Sequence, residues 1–197
     1  DMRTAAQASN RVNYAKAYEQ SGSGVWNDTL QSLTAAPAVQ EAIKSVMKTG
    51  ANKTVAQGMP PIRNAFVEGA DGSIALAKRA DGSTATPNVQ FWDYVARQLG
   101  DKASAAGRAG EKDLAADYGN LRRQILAQVD DAAPAFKEAR AGAARFFGAE
   151  DAFEAGQKFL LSKMQNFDAQ KAVGKMTREE RDLFSEGFRD SMLAKIR

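Results

Sequence analysis

The sequence has no cysteine and no histidine among its 197 residues. Without cysteine there is no disulfide framework, thiolate zinc site, Fe–S cluster or cysteine nucleophile. Without histidine, the commonest metal ligand and the commonest general base at neutral pH are both missing. Long apolar runs are absent too: Gln, Ser and Thr interrupt every uncharged stretch before the roughly 20 residues a bilayer span needs. The opening Asp1-Met2-Arg3-Thr4 leads into a polar, Ala-rich run with no signal-peptide pattern. Charge of one sign is also lacking. Lys and Arg number 27 against 24 Asp and Glu, a net charge of +3. The two signs are interleaved, as in Glu179-Glu180-Arg181-Asp182, which is the pattern of a solvated helix face.

What remains is an ordinary globular composition, 44% hydrophobic and 26% charged, outside the disordered range. A chain this long buries roughly 70% of its unfolded surface and needs no staple. It begins at Asp1 rather than Met, and Arg197 closes a helical pattern without a stop signal. These ends read as those of a piece excised from a longer protein.

Helical signals run through most of the chain. Residues 2–20 form a first helix with Val12, Ala15 and Tyr18 at three-residue spacing, ended by Ser21-Gly22-Ser23-Gly24. That glycine-rich stretch lacks the third glycine and preceding strand of a phosphate loop, so it reads as a linker. A short helix covers Trp26 to Leu33, and Pro37 opens a third with Val39, Ile43 and Val46/Met47 on one face. Gly50 and Gly58 flank a weaker tail, which Pro60-Pro61 terminates. Asn88 is a strong N-cap for a helix striped by Phe91, Trp92, Val95 and Leu99. The Ala/Lys/Ser-rich stretch from Gly100 to Gly110 either continues that helix or breaks it. From Asp113 onward Leu114, Tyr118, Leu121, Ile125 and Val129 mark a one-faced helix. Asp130-Asp131 before Pro134 marks a tight helix–helix joint. Later helices carry Phe136, Ala139, Ala143 and Phe146/Phe147, then Phe153, Phe159/Leu160 and Met164. The last carries Phe184, Phe188, Met192 and Ile196 behind a capping box at Thr177 to Glu180.

Residues 62–87 read differently. Asp71-Gly72 and Asp81-Gly82 bracket the apolar run Ile74-Ala75-Leu76-Ala77, and Asp-Gly takes the positive φ angles of hairpin turns. A small β-hairpin or three-strand meander is expected there, and no internal repeat is recognised. The expected fold is therefore mainly α: about seven helices with a small inserted β-hairpin near residues 64–80. The organisation expected is an N-terminal helical segment over 1–60, the hairpin insertion over 61–87 and a C-terminal helical bundle over 88–197, continuous as one domain.

Chemistry-bearing motifs are few. The acidic pairs Asp130-Asp131, Glu150-Asp151 and Glu179-Glu180 fall at helix starts or joints, where carboxylates meet the positive end of the dipole. Adjacent helical residues point in different directions, so such pairs make poor acid–base couples. Ser45-Val46-Met47-Lys48 has Ser-x-x-Lys spacing without the companion motifs acyl transfer requires. No catalytic, metal-binding or cofactor-binding residue is assigned. The basic residues Arg122, Arg123, Lys137, Arg140 and Arg145 are candidate phosphate or partner contacts, diluted by Asp130, Asp131, Glu138 and Glu150. Trp92 beside Phe91 belongs to a core stripe, whereas Trp26 either plugs a helix joint or anchors a partner.

The strings Pro87-Asn88-Val89-Gln90-Phe91-Trp92-Asp93-Tyr94-Val95 and Leu121-Arg122-Arg123-Gln124-Ile125-Leu126 carry a likeness. Val129-Asp130, Pro134-Ala135-Phe136, Ala139-Arg140 and Phe146-Phe147-Gly148-Ala149-Glu150 extend it. Upstream, Gly24-Val25-Trp26, Leu30-Gln31 and Pro37-Ala38-Val39-Gln40 belong to it as well. On these packing motifs the chain resembles a helical region of large phage and prophage proteins of virion or DNA-ejection type. The resemblance implies a phage-encoded polypeptide, made in the bacterial cytoplasm and associated with a virion; with neither His nor Cys and with acids that read as caps, a non-enzymatic structural or interaction module is expected. Its partners would be other protein chains, the rest of its own polypeptide or further copies of itself, with no membrane span. A nucleic-acid-binding module of a DNA-ejection protein is the alternative, and a carboxylate-dependent cell-wall hydrolase domain is the second.

Overall fold

The structure, a computed structural model, describes residues 2–22, 24–143, 173–174, 176, 181, 184–185, 187–189 and 191–193, with side chains from Asn10 onward. The chain divides into two compact units, residues 1–139 and 140–197.

The order in the first unit is α1 (Met2–Gln20), α2 (Asp28–Leu33), α3 (Pro37–Gln57), β1 (Phe66–Glu68), β2 (Ile74–Leu76), α4 (Val89–Arg108) and α5 (Lys112–Ala132). Residues 134–143 are helical again after a one-residue break at Ala133. The fold is thus mostly helical with a small antiparallel hairpin, as the stripes and Asp-Gly pairs imply.

Local chemistry sets the boundaries. Asn27 caps α2 by accepting from Leu30 N–H at 2.9 Å, so the helix starts after Trp26 and not at it. Pro37 occupies the first turn of α3. The helix runs unbroken through Gly50 and ends at Gly58, whose φ of 60° closes the C-cap with Met59 N–H donating to Thr54 O at 2.9 Å. Gly50 is buried because Ile62 lies over it: a Cβ there would sit 3.0 Å from Ile62 Cδ1. Asn88 caps α4 by accepting from Phe91 N–H at 3.0 Å. The stretch after Gly100 continues α4 as far as Arg108.

The α1 stripe differs from the expected one. Val12 is 49% exposed, and the buried face is Ala17 and Tyr18 with Tyr14 half-buried beside them. Spacing alone does not say which of two overlapping stripes meets the core. The linker reading of Gly22 to Gly24 is also corrected. Val25 N–H donates to Pro87 O at 2.7 Å, and a Cβ on Gly24 would fall 1.8 Å from Thr86 Oγ1. Gly24 is therefore a close crossing of two backbone segments, a contact that only a residue without a side chain permits.

The hairpin pairs Phe66 with Leu76, Val67 with Ala75 and Glu68 with Ile74, and an isolated bridge between Lys78 and Thr84 extends it towards a meander. Here the structure shows a short repeat that the sequence reading passes over. Gly69-Ala70-Asp71-Gly72-Ser73 and Arg79-Ala80-Asp81-Gly82-Ser83 fold alike, both glycines at φ 79°. In each, the first residue's N–H donates to the serine carbonyl at 2.8 Å. In each, the aspartate Oδ1 accepts from the serine Oγ at 2.6 Å. This is a three-residue hairpin loop whose last residue must be left-handed, hence glycine. The first turn is tied to a helix: Lys44 on α3 donates to Gly72 O at 2.6 Å and pairs with Glu68 at 2.8 Å.

The core is built around α4. Phe91, Trp92, Val95 and Leu99 are fully buried, and so are Gln90, Asp93, Tyr94 and Ala96, so its first two turns meet protein on every side. An aromatic cluster joins them to the neighbouring elements. Trp26 stacks on Trp92 at 6.1 Å, Phe66 meets both tryptophans edge-on, and Trp92 Nε1 donates to Val25 O at 2.9 Å. Burying a phenyl side chain such as Phe91 contributes on the order of 2–3 kcal/mol. Ile125, Leu126 and Val129 of α5 face the same core, while Leu114 at its start is 39% exposed.

Candidate functional site

Two polar assemblies stand out among the described residues, one inside the core and one at its surface. The inner one centres on Asp93, one turn into α4. Its Oδ2 accepts from Tyr18 Oη at 2.5 Å and pairs with Arg97 at 2.7 Å. The Arg97 guanidinium lies over the rings of Tyr14 and Tyr94, at 5.4 and 5.8 Å. Burial raises the Tyr18 phenol well above its ordinary value, and the Asp93 carboxylate raises it further. Burial is the largest influence on Arg97 and would lower it, but the charge and hydrogen bond of Asp93, together with Tyr18 and Tyr14, outweigh burial and hold the guanidinium above its usual value. Asp93 thus takes one partner from α1 and one from its own helix α4. Nearby, Gln90 donates to Pro60 O at 2.9 Å, while its Oε1 is buried without a partner.

The outer assembly is an open groove of about 550 Å³ lined by Lys53 of α3, by Arg97, Gly100, Asp101, Ala103 and Ser104 of α4, and by Gly119, Arg122 and Arg123 of α5. Four cations face one carboxylate. The floor is bare because two mid-helix glycines lie there. A Cβ on Gly100 would sit 3.3 Å from Arg122 Nε, and one on Gly119 would sit 3.5 Å from the Arg123 guanidinium. Each glycine costs its helix about 1 kcal/mol relative to alanine. That cost makes room for guanidinium groups to lie against the helix surfaces. Arg123 is held in place by donating to the Asn120 side-chain oxygen. Arg97 joins the two assemblies, since its inner side is neutralised by Asp93 while its side chain stays 41% exposed at the groove.

Of the basic residues singled out in the sequence, the structure brings Arg122 and Arg123 into this groove. Lys137 is exposed on the helix over 134–143 and does not line it. Arg140, half-buried, lies on that helix but belongs to the second unit, and Arg145 lies outside the described residues. Trp26 is half-buried with one face stacked on Trp92, at the joint between α2 and the core. Asp130 and Asp131 sit in the last turn of α5; Glu150-Asp151 and Glu179-Glu180 lie outside the described residues, as do Phe146/Phe147, Phe153, Phe159/Leu160, Met164 and the capping box at Thr177 to Glu180. Ser45 hydrogen-bonds Gln98 across α3 and α4 at 3.3 Å.

Lys53 and Arg97 are the groove cations that sequence reading misses. Arg97 carried a signal, its spacing of four from Asp93, which is ion-pair spacing on a helix. Lys53 carried none, because only the packing of α3 on α4 brings it near. Among the described residues no cluster of three acidic side chains is placed to hold a metal ion, and no helix is long and apolar enough to cross a membrane. Compared with protein-family models, with curated proteins and with solved structures, the chain has no match.

Proposed function

We propose that this chain is a non-enzymatic structural and interaction module of a larger phage or prophage polypeptide, working through helix packing against itself or a partner chain. The observation that carries this reading is how the buried polar groups are used. Asp93 ties α1 to α4 through Tyr18, Gln90 ties α4 to the Pro60 segment, and Trp92 ties α4 to the Val25 segment. Each cross-link holds one element to another and makes the unit a rigid support. The resemblance of the packing motifs to virion-type helical regions supports the same reading.

Sedimentation equilibrium of the pure chain over a wide concentration range tests it, alongside release of soluble fragments from peptidoglycan. The expected result is reversible self-association, or association with the remainder of the parent polypeptide, and no fragment release. A chain monomeric at every concentration and indifferent to the rest of its polypeptide would refute the packing role. Peptidoglycan turnover would establish the hydrolase alternative instead.

A further inference from the structure

We propose that the groove between α3, α4 and α5 is a binding site for the phosphate backbone of duplex nucleic acid. The inference is independent of the helix-packing reading. Its basis is the juxtaposition of Lys53, Arg97, Arg122 and Arg123 around a floor of Gly100, Ala103, Ser104 and Gly119.

Charge comes first. Elsewhere on these helices, Lys44 and Lys102 are each paired with a carboxylate, Glu68 and Glu41. Among the described residues Lys53 and Arg122 are in no such pair, and Arg123 is oriented by a neutral amide. Asp101 is the single acid on the rim. Three cations in no ion pair, from two helices, outnumber the single carboxylate of Asp101 and make a local positive field in a chain whose charges are otherwise interleaved.

Shape and lining then select among phosphates. The groove is open and its floor carries small side chains, so an extended backbone can pass through it; an enclosed pocket would instead suit a small phosphorylated molecule. No aromatic residue lines it. Single-stranded nucleic acids are held largely by stacking bases on aromatic rings, and that platform is missing here. Backbone contacts from Lys and Arg without base contacts describe sequence-independent binding to a duplex.

The test is titration of the full chain into a labelled DNA duplex of arbitrary sequence, read by fluorescence anisotropy between about 50 and about 200 mM salt. Arg97 is already neutralised by Asp93. Three phosphate contacts therefore set the expected slope of log affinity against log salt at about −2.7, a loss of about fortyfold over that range. Lys53→Glu and Arg122→Glu should each reduce the magnitude of the slope by about 1 and weaken binding. Lys137→Glu, a basic residue outside the groove, should change neither. Circular dichroism checks folding, and the neutral Lys53→Gln and Arg122→Gln carry the same test if a reversed charge unfolds the chain. Absence of binding at low salt, a slope indifferent to Lys53 and Arg122, or an equal loss from Lys137→Glu would overturn the proposal. Equal competition by inorganic phosphate would also overturn it, by showing a discrete anion site, and so would equal affinity for a single strand. Self-association measured in the same buffers succeeds or fails separately from all of these.

Discussion

Tyr18 shows how one hydroxyl can hold a helix in place. Its ring packs among buried side chains and stacks on Phe136, while its Oη reaches the Asp93 carboxylate at 2.5 Å. Tyr18→Phe keeps the ring and removes only the donor. A hydrogen bond to a buried charged group contributes about 1.5–3 kcal/mol. The variant should therefore lose about 2 kcal/mol in urea unfolding, with an unchanged dependence on denaturant. Tyr18 also predicts a pH response. Folded, the phenol keeps its proton well above its ordinary value of 10.0. Unfolded, it ionises near that value, so above pH 10 the unfolded chain binds fewer protons than the folded one. Stability must then fall as pH rises beyond about 10, by up to about 1.4 kcal/mol per pH unit from this group. Tyr18→Phe should flatten that alkaline slope relative to the parent chain, as measured by urea midpoints between pH 9 and pH 11.

At the scale of elements, two features depend on close backbone geometry. Gly24 crosses Thr86 with no room for a methyl group, whereas a Cβ on Gly22 would meet only Glu19 O at an ordinary 3.6 Å. Gly24→Ala forces a backbone shift of the kind that costs about 1–3 kcal/mol, and Gly22→Ala should cost much less. Thermal unfolding of the two variants side by side checks the difference. The twin turns make a second case. Asp71 and Asp81 are both held below their ordinary value of 3.8, first by the serine hydroxyl and then by the serine amide. The stability these bonds lend is present above the unfolded carboxylate value and disappears as pH falls through the folded one. Ser83→Ala should move Asp81 back up towards its ordinary value and leave Asp71 depressed, read from side-chain carbon shifts in an NMR titration. Turns that shared only a sequence and not a geometry would fail this comparison.

For the molecule as a whole, Phe136 is the side chain on which the ends of the first unit meet. It is fully buried, with its ring 6.0 Å from Tyr14 and 6.2 Å from Tyr18, so it holds α1 from a position more than a hundred residues later in the chain. Phe136→Ala should cost about 3–5 kcal/mol. Combined with Tyr18→Phe it should be non-additive, because the two rings share one contact. A double-mutant cycle by urea unfolding measures that coupling, and simple additivity would mean that α1 is held independently at the two positions.

Much of this architecture is local and so could be read from the sequence alone. Pro37, Asn88 and the Asp-Gly pairs act on their own backbone neighbours within a few residues, and the four-residue stripes of α4 and α5 follow from helical pitch. Exclusions were legible for the same reason, since an absent residue type is absent in any fold. The structure alone decided which stripe of α1 faces inward, that Gly24 is a crossing and not a linker, and that Gln90 and Asp93 are buried beside apolar neighbours. The candidate groove divides the same way. Arg122 and Arg123 announced themselves as adjacent cations, but Lys53 reaches them only because α3 and α5 both pack on α4. Residues seventy positions apart share a site through packing, which pattern and propensity within one segment do not encode, because the free energy that sets it comes from buried contacts between segments.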